Sequence, residues 1–246
     1  MMGGLRFAVR AWSAWAPQRE TPAAWRAWAK ATDTGTSDPG AGPIAVPMML
    51  RRRSTSLGRK MIASALACGE TALTGRYVLA SRHGEFSRGL DILKSLAAHE
   101  LPSPAEFSMS VHNALAGLLS IHLGNTRGHT ALAAGLDTFG FGLIEAAAQL
   151  VEQPAEPVLL FFGDEPLPGE YNVFGEDDVD LPLAVALALR APAAGDDGIL
   201  FDAVPRSAGA RPSTAAPMDF LRFLLSGAQS AVSEGARMTW SWRRAT

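Results

Sequence analysis

Residues 103–150, SPAEFSMSVHNALAGLLSIHLGNTRGHTALAAGLDTFGFGLIEAAAQL, predict a helix, a tight turn, a short strand and a second helix. The first helix is predicted because apolar residues recur there at helical spacing. These residues are Val111, Leu115, Leu118, Leu119 and Leu123, with Asn113 as a polar interruption. Gly124 and Asn125 end the helix, since both residues tolerate the left-handed backbone of a C-terminal cap.

A short apolar run follows this turn. Thr130–Ala134 has the composition of a strand that is covered on both faces, and Gly135 then turns the chain. Asp137 and Thr138 stand where the N-terminus of the next helix needs a side-chain oxygen. Helix, strand, turn and helix together predict an α/β unit.

The turn between this strand and the second helix is a candidate site. Backbone N–H groups converge at such turns, so many enzymes carry a nucleophile there. The turn consists of Gly135, Leu136 and Asp137. None of these residues is Cys or Ser, so a conventional nucleophile is absent from the turn.

The rest of the chain alternates helix and strand patterns early and clusters its strands late. Strands are predicted over residues 5–12, 77–81, 158–162, 183–189, 199–204 and 237–243, the last with Trp240 and Trp242 on one face. Helices are predicted over residues 21–28, 57–74, 86–99 and 218–233. A Gly- and Ser-rich loop is predicted over residues 32–46, and an acidic loop over residues 176–180. We expect one domain, residues 1–246, with α/β/α layers around a mixed sheet.

Composition and charge exclude several classes of protein. The chain has 246 residues and a net charge of -2, which argues against a nucleic-acid binder. Its single cysteine excludes an intramolecular disulfide and a cysteine-based zinc site, and it fits a reducing compartment. No apolar run approaches the ~20 residues of a membrane span, and Arg10 interrupts the apolar core that a secretory signal needs. We therefore expect a cytoplasmic protein.

Few side chains in the sequence suggest chemistry. Cys68 lies in a helical pattern beside apolar residues, which is typical of a core thiol. Ser110 lacks the glycine-flanked context of a serine nucleophile. His112 and Asn113 form a polar pair in an apolar helix, explained either by hydrogen-bond partners in the core or by a site. The histidines show no metal-ligand spacing, so no metal or cofactor is predicted.

Charged residues cluster in two places. A basic cluster precedes and enters the helix predicted over 57–74, and it comprises Arg51, Arg52, Arg53, Arg59 and Lys60. It is either a solvated helix entry or a docking patch for an acidic partner or a phosphate. Asp164 and Glu165 follow a buried strand, where a carboxylate either caps a loop or belongs to a functional site.

Several of these segments together resemble the N-terminal half of the β-ketoacyl synthases, the condensing enzymes of the thiolase fold. The closest likeness is to the short synthase-like subunits called chain-length factors, found in aryl-polyene gene clusters. The segments are Pro47–Arg53, Ser103–Phe107, Ser110–Gly117, Thr130–Leu150 and Phe162–Glu165. The resemblance covers nearly the whole chain and implies a thiolase-like half-fold of class α/β.

The resemblance also implies that the chain lacks the catalytic groups of the family. In an active synthase the turn equivalent to Gly135–Asp137 carries a Cys nucleophile, and two catalytic histidines lie in a C-terminal half that is not found here. The implied role is a non-catalytic subunit that pairs with a full-length β-ketoacyl synthase. It would work with an acyl carrier protein in fatty acid or polyketide synthesis, without a cofactor.

The same resemblance assigns three surfaces. Thr130, Ala131, Leu132, Ala133 and Ala134 would pair with the partner sheet across the dimer. Met109, His112, Asn113 and Ala116 would line the tunnel that holds the growing acyl chain. Arg51, Arg52 and Arg53 would dock the carrier protein.

Two other interpretations of the sequence remain open. The chain could be a self-sufficient acyltransferase or hydrolase of thiolase-like fold that uses Asp137, Ser110 or His112 as an unconventional catalytic residue. It could also be a purely structural binding module.

Overall fold

A computed structural model describes residues 4–30, 44–174, 182–193, 195–196, 198–207, 209 and 215–245. The strands are β1 (Leu5–Trp15), β2 (Arg76–Ala80), β3 (His129–Leu132), β4 (Val158–Asp164), β5 (Leu183–Arg190), β6 (Ile199–Pro205), β7 (Ser230–Glu234) and β8 (Met238–Arg244). The helices are α1 (Pro22–Ala29), α2 (Met48–Arg53), α3 (Ser56–Ala67), α4 (Glu70–Thr74), α5 (Phe86–Ala97), α6 (Pro104–Ser108), α7 (Ala114–Leu123), α8 (Thr138–Glu152) and α9 (Ala216–Ser226). The predicted loops over 32–46 and 176–180 lie, apart from residues 44–46, outside the described residues.

The strands form one mixed sheet in the order β3-β2-β4-β5-β1-β6-β8-β7. β2 runs parallel to β3 and β4, and the other neighbouring strands pair antiparallel. β1 joins the two parts of the sheet, because its residues 5–7 pair with β6 and its residues 8–15 pair with β5. The partner changes between Phe7 and Ala8, and the register with β5 shifts between Val9 and Ala11. The predicted mixed α/β class is confirmed.

Helices cover both faces of the sheet, as the layered prediction requires. Alternate residues of β4 point to opposite sides, as strand geometry dictates. Leu160 and Phe162 belong to a core formed with α8 and α9, whereas Leu159 and Phe161 belong to a second core formed with α3 and α7. Strands buried on both faces carry near-continuous apolar runs, which explains the sequences of β4 and β5.

The helix predicted over 218–233 is wrong in its second half. α9 ends at Ser226, because Gly227 adopts a left-handed backbone with φ of 82°. Ser230–Glu234 forms β7 instead, which pairs antiparallel with β8 as a hairpin. Tertiary pairing therefore determines the structure of a segment whose local pattern fits a helix. The strand predicted over 237–243 is confirmed, and Trp240 and Trp242 are both fully buried on one face.

Two long predicted helices are interrupted. The helix predicted over 57–74 divides into α3 and α4 at Gly69, whose φ of 59° cannot continue a right-handed helix. The helix predicted through Val111 to Leu123 begins at Ala114, and Val111 is 46% exposed rather than part of a buried stripe. Pro47–Arg53 also contains a short helix, α2, that the sequence pattern does not predict.

Candidate functional site

The chain turns before α8 at Gly135, as its sequence predicts. Gly135 adopts φ of 62°, and the predicted end of the preceding helix at Gly124 is confirmed by φ of 64°. The Thr138 hydroxyl donates a hydrogen bond to the Gly135 carbonyl at 2.6 Å and accepts one from the Ala134 N–H at 2.9 Å. Thr138 therefore holds the turn closed at the start of α8.

Asp137 occupies the N-cap position of α8 but makes no capping hydrogen bond, so the predicted capping by its side chain is wrong. Its fully buried carboxylate accepts hydrogen bonds from the Arg237 backbone N–H at 2.8 Å and the Trp240 indole N–H at 3.1 Å. The Arg237 guanidinium lies 3.6 Å away. Gly235 adjoins this carboxylate so closely that a Cβ there would overlap it. The carboxylate therefore fixes the β7–β8 hairpin against the turn.

β3 is an edge strand of the sheet. The predicted full coverage of both its faces is wrong, because none of its residues is buried. Among the described strands it pairs with β2 alone, from Tyr77↔His129 to Ala80↔Leu132. Thr130, Ala131 and Leu132 are half-buried, and Ala133 is exposed beyond the end of the strand. One side of the β3 backbone is left without a strand partner in the described chain, which is the property of an edge that accepts another strand.

The predicted tunnel residues lie before and within the start of α7. Met109 and His112 are half-buried and Asn113 is exposed, whereas Ala116 is fully buried in the core shared with α3. The Asn113 amide lies 3.2 Å from His129 Nε2, so this segment contacts the first residue of β3. The structure thus brings the predicted tunnel segment beside the predicted partner strand, but it places Ala116 inside the chain's own core.

His112 packs on the loop that follows β2. Gly84 adopts φ of 57°, a left-handed backbone that favours glycine, and a Cβ there would be in ordinary contact with the His112 ring at 3.5 Å. The Nε2 atom of His112 is buried and has no hydrogen-bond partner among the described residues. Burial lowers the pKa of His112, so the imidazole is favoured in its neutral form. An unpaired buried nitrogen is costly to the isolated chain.

Asp164 holds this loop, which supports the loop-capping interpretation of the sequence. Its Oδ1 accepts hydrogen bonds from the backbone N–H groups of Arg82 at 2.7 Å and His83 at 3.3 Å, and from the Ser81 hydroxyl at 3.1 Å. Burial raises the pKa of Asp164 to about 6 in spite of these bonds. The sequence analysis did not single out Ser81 or His83. The signal available for both was a polar Ser-Arg-His-Gly run directly after a buried parallel strand.

A buried ion pair at the start of α5 also escaped the sequence analysis. Glu85 accepts a hydrogen bond from Thr55 at 3.2 Å, and its other oxygen lies 3.5 Å from Arg88. Arg88 in turn contacts Glu106 and donates to the Arg53 carbonyl at 3.0 Å. These bonds join the basic segment, α5 and α6. Residues so far apart along the chain give no local sequence pattern.

Each candidate nucleophile is either hydrogen-bonded within the chain or buried in its core. Burial raises the pKa of the Cys68 thiol to about 12, so the prediction of a core thiol is confirmed. The Ser110 hydroxyl donates to the Phe107 carbonyl at 2.8 Å. Asp137 is bonded as described above. Within the described residues, none of these groups forms the hydrogen-bonded nucleophile–base pair of covalent catalysis.

The basic residues of α2 point to solvent. Leu50 is fully buried and anchors the helix, while Arg51, Arg52 and Arg53 are all exposed. The Arg59 side chain donates from Nε to the Arg51 and Ser54 carbonyls, which fixes the end of α2 against α3. The three arginine side chains are therefore open to solvent, while the backbone that carries them is fixed against α3.

Two searches of the described residues were negative. They contain no group of three or more His, Cys, Asp or Glu side chains placed to hold a metal ion. Nor does any described helix combine the length and apolar character needed to cross a bilayer.

The profile of the β-ketoacyl synthase N-terminal domain matches residues 25–243. The chain belongs to this family. A comparison with curated proteins gave no match.

Three solved structures are similar to this chain in fold. A chain of the complex of the ketosynthase ApeO with its chain length factor ApeC, from Xenorhabdus doucetiae, is 31% identical, with a TM-score of 0.83. The match covers 98% of this chain and 100% of that chain.

The two more distant likenesses show the fold alone. The ishigamide ketosynthase/chain length factor is 15% identical, with a TM-score of 0.63, over 92% of this chain and 74% of its own. A chain of AntDE:AntF, a type II polyketide synthase carrier protein in complex with its ketosynthase, is 12% identical, with a TM-score of 0.69. That match covers 98% of this chain and 100% of that chain.

Proposed function

We propose that this chain is a non-catalytic, chain-length-factor-like subunit that pairs with a full-length β-ketoacyl synthase and works with an acyl carrier protein. It acts as one domain in the cytoplasm, in fatty acid or polyketide-type synthesis of the aryl-polyene kind. The observation that carries the proposal is the turn Gly135–Asp137. It holds no thiol or hydroxyl, and its carboxylate is bonded to Arg237 and Trp240.

The likeness to a ketosynthase–chain length factor complex supports the same role. The matched chain is covered completely by this one, so the two are of similar length. Its likeness therefore extends across both the edge strand β3 and the α8 turn. A self-sufficient acyltransferase would need an activated nucleophile, and the bonding of Ser110 and Asp137 gives no support to one.

The free edge of β3 supports the partner interface. An edge strand with small, uncharged side chains, here Thr130–Ala134, is suited to pair with a second sheet. Large apolar side chains are also exposed on the segment that precedes α7, with Phe107 at 62% and Leu101 at 95% exposure. Exposed apolar surface is typical of protein–protein contact. A partner that reached both β3 and this segment would cover both features.

The contact between Asn113 and His129 supports the tunnel. Asn113 lies beside the first residue of β3, so an acyl chain entering between the subunits along this edge would meet Asn113 and then His112 and Met109 on the same segment. The unpaired Nε2 of His112 could then gain a partner from the second subunit. Ala116 would contribute through the core behind this surface.

The exposed arginines of α2 support docking of the carrier protein. Arg51, Arg52 and Arg53 present three positive charges on a backbone held by Arg59 and Arg88. Such a patch attracts an acidic partner and raises the rate of encounter.

A reconstituted condensation assay tests the proposal. A full-length ketosynthase from the same organism is combined with acyl carrier protein and malonyl thioester, with and without this chain, and product length is read by mass spectrometry. We expect no product from this chain alone. With both subunits present, we expect longer products than the ketosynthase makes without this chain. Met109→Trp should shorten the product, because it adds bulk beside the partner edge.

Met218→Trp is the matched control. Met218, on α9, is also half-buried, but it packs against the core on the other face of the sheet from Met109. Ala116→Trp is unsuitable as a tunnel variant because it would overpack a fully buried site. Condensation by this chain alone would overturn the non-catalytic role. Equal product lengths for Met109→Trp and Met218→Trp would overturn the tunnel assignment.

A further inference from the structure

A polar cleft lies at the end of the sheet opposite the α8 turn. It is bordered by the residues that precede β3 and β4, whereas the turn follows the end of β3. Its volume is about 610 Å³, which is within the range of small-molecule sites. The cleft shares none of its lining residues with the turn, the predicted tunnel or the basic helix α2. It therefore stands apart from the proposed function.

Arginines from three separate segments line this cleft. Arg10 lies on β1, Arg127 precedes β3, and Arg190 ends β5. Arg127 is paired with Glu156 at 3.0 Å, and Arg190 with Asp196 at 2.6 Å. A backbone hydrogen bond and, more weakly, the charge of Arg10 lower the pKa of the Asp196 carboxyl. Arg10 is exposed, and it makes no direct hydrogen bond or ion pair with the described part of the chain. The cleft thus offers one guanidinium with all of its donors available.

A second donor in the cleft lacks an acceptor. The Nε of Arg190 is buried, and no hydrogen-bond acceptor for it is found in the described residues. A buried donor without an acceptor is destabilising, so a ligand oxygen that reached it would stabilise the folded chain. Thr71, on α4, adds a hydroxyl to the lining from a third direction. Donors on β1, β5 and α4 therefore surround the same space.

The arrangement favours a tetrahedral oxyanion. Guanidinium groups bind phosphate through paired N–H donors, and a phosphate has enough oxygen atoms to accept from several directions at once. A carboxylate offers only two oxygens in one plane. The cleft is also larger than a phosphate group alone, which leaves room for an organic portion. One carboxylate, that of Glu70, lines the cleft without an ion-pair partner among the described residues and opposes the charge of such a ligand.

We propose that this cleft binds the phosphate group of a small phosphorylated molecule, with Arg10 and Arg190 as its principal ligands. Binding is measured by isothermal titration calorimetry at constant ionic strength, using the full chain, co-purified with its ketosynthase when that complex forms. The probes are inorganic phosphate and AMP. A higher affinity for AMP than for inorganic phosphate measures the contribution of the organic portion.

Three variants distinguish a specific phosphate site from nonspecific attraction of an anion to exposed arginines. Arg10→Gln should weaken phosphate binding at least about fivefold, while Glu70→Gln should tighten it about two- to threefold. Arg6→Gln is the matched control, because Arg6 is also exposed on β1 but does not line the cleft. All three substitutions are at exposed positions and should leave the thermal midpoint unchanged.

The proposal is overturned by any of three results. These are no binding of either probe at millimolar concentration, unchanged affinity in Arg10→Gln, or equal weakening in Arg10→Gln and Arg6→Gln. None of these results bears on pairing with the ketosynthase.

Discussion

Asp137 joins the turn at the start of α8 to the C-terminal hairpin of β7 and β8. We expect Asp137→Ala to lower the free energy of unfolding by about 2–4 kcal/mol, because hydrogen bonds to a buried charge are strong and the Trp240 indole N–H loses its acceptor. Asp137→Asn should cost less, since its amide oxygen still accepts one of the two bonds. Urea unfolding followed by tryptophan fluorescence measures both.

Asp91→Ala provides the control for Asp137→Ala, because Asp91 is exposed on α5. It should change stability by less than about 0.5 kcal/mol. If Asp137→Ala were as mild as this control, the carboxylate would not be a structural link. It would then again be a candidate for chemistry.

Asp164 should make stability depend on pH in the acid range. Burial raises its pKa from 3.8 to about 6, so the folded state binds a proton more readily than the unfolded state. The stability it contributes is present below pH 4 and is lost as the pH rises to about 6. Asp164→Asn keeps an oxygen acceptor for the loop and should flatten the pH dependence between 4 and 6.

Urea midpoints from pH 4 to pH 7 compare Asp164→Asn with the parent chain. Some slope should remain, because burial also raises the pKa of Glu85 and Glu165. Asp91→Asn should keep the full slope of the parent. An Asp164→Asn variant with an unchanged slope would show that this carboxyl does not titrate in that range.

At the scale of elements, glycines decide how closely α8 approaches the sheet. A Cβ on Gly140 would overlap the indole ring of Trp240, which stacks on Phe201 at 5.9 Å. Gly140→Ala should therefore destabilise the protein by about 1–3 kcal/mol through overpacking. Gly89 in α5 has open space around its Cβ position, so Gly89→Ala should stabilise by about 0.5–1 kcal/mol.

Thermal unfolding of these two variants tests the packing of α8 on β8. Both substitutions replace a helical glycine by alanine, so the helix-propensity gain is shared and only the contact with Trp240 differs. Stabilisation by Gly140→Ala would contradict the close approach.

Elements were predictable from the sequence where one local signal was strong. The apolar runs of β4 and β5 and the left-handed Gly124 gave correct strands and a correct helix end. β7 was not predictable, because its strand state depends on pairing with β8 rather than on its own pattern. The break at Gly69 was missed because the apolar spacing continues across it.

At the scale of the whole molecule, the sequence predicted the turn before α8 and a strand near β3, but not what surrounds them. Asp137 was visible at the turn, yet its bonds reach Arg237 and Trp240, about a hundred residues further along the chain. The edge position of β3 follows from the order of all the strands. Long-range contacts of this kind leave no trace in residue spacing.

The proposed pairing with a ketosynthase concerns the whole molecule. β3 leaves one side of its backbone without a strand partner in the described sheet, and Phe107 and Leu101 expose apolar surface on the segment that precedes α7. The most direct test is co-expression with a full-length ketosynthase from the same organism, followed by size-exclusion chromatography with light scattering. We expect a stable one-to-one complex, and self-association of this chain when it is expressed alone. A stable monomer that elutes separately from the synthase would contradict the proposed pairing.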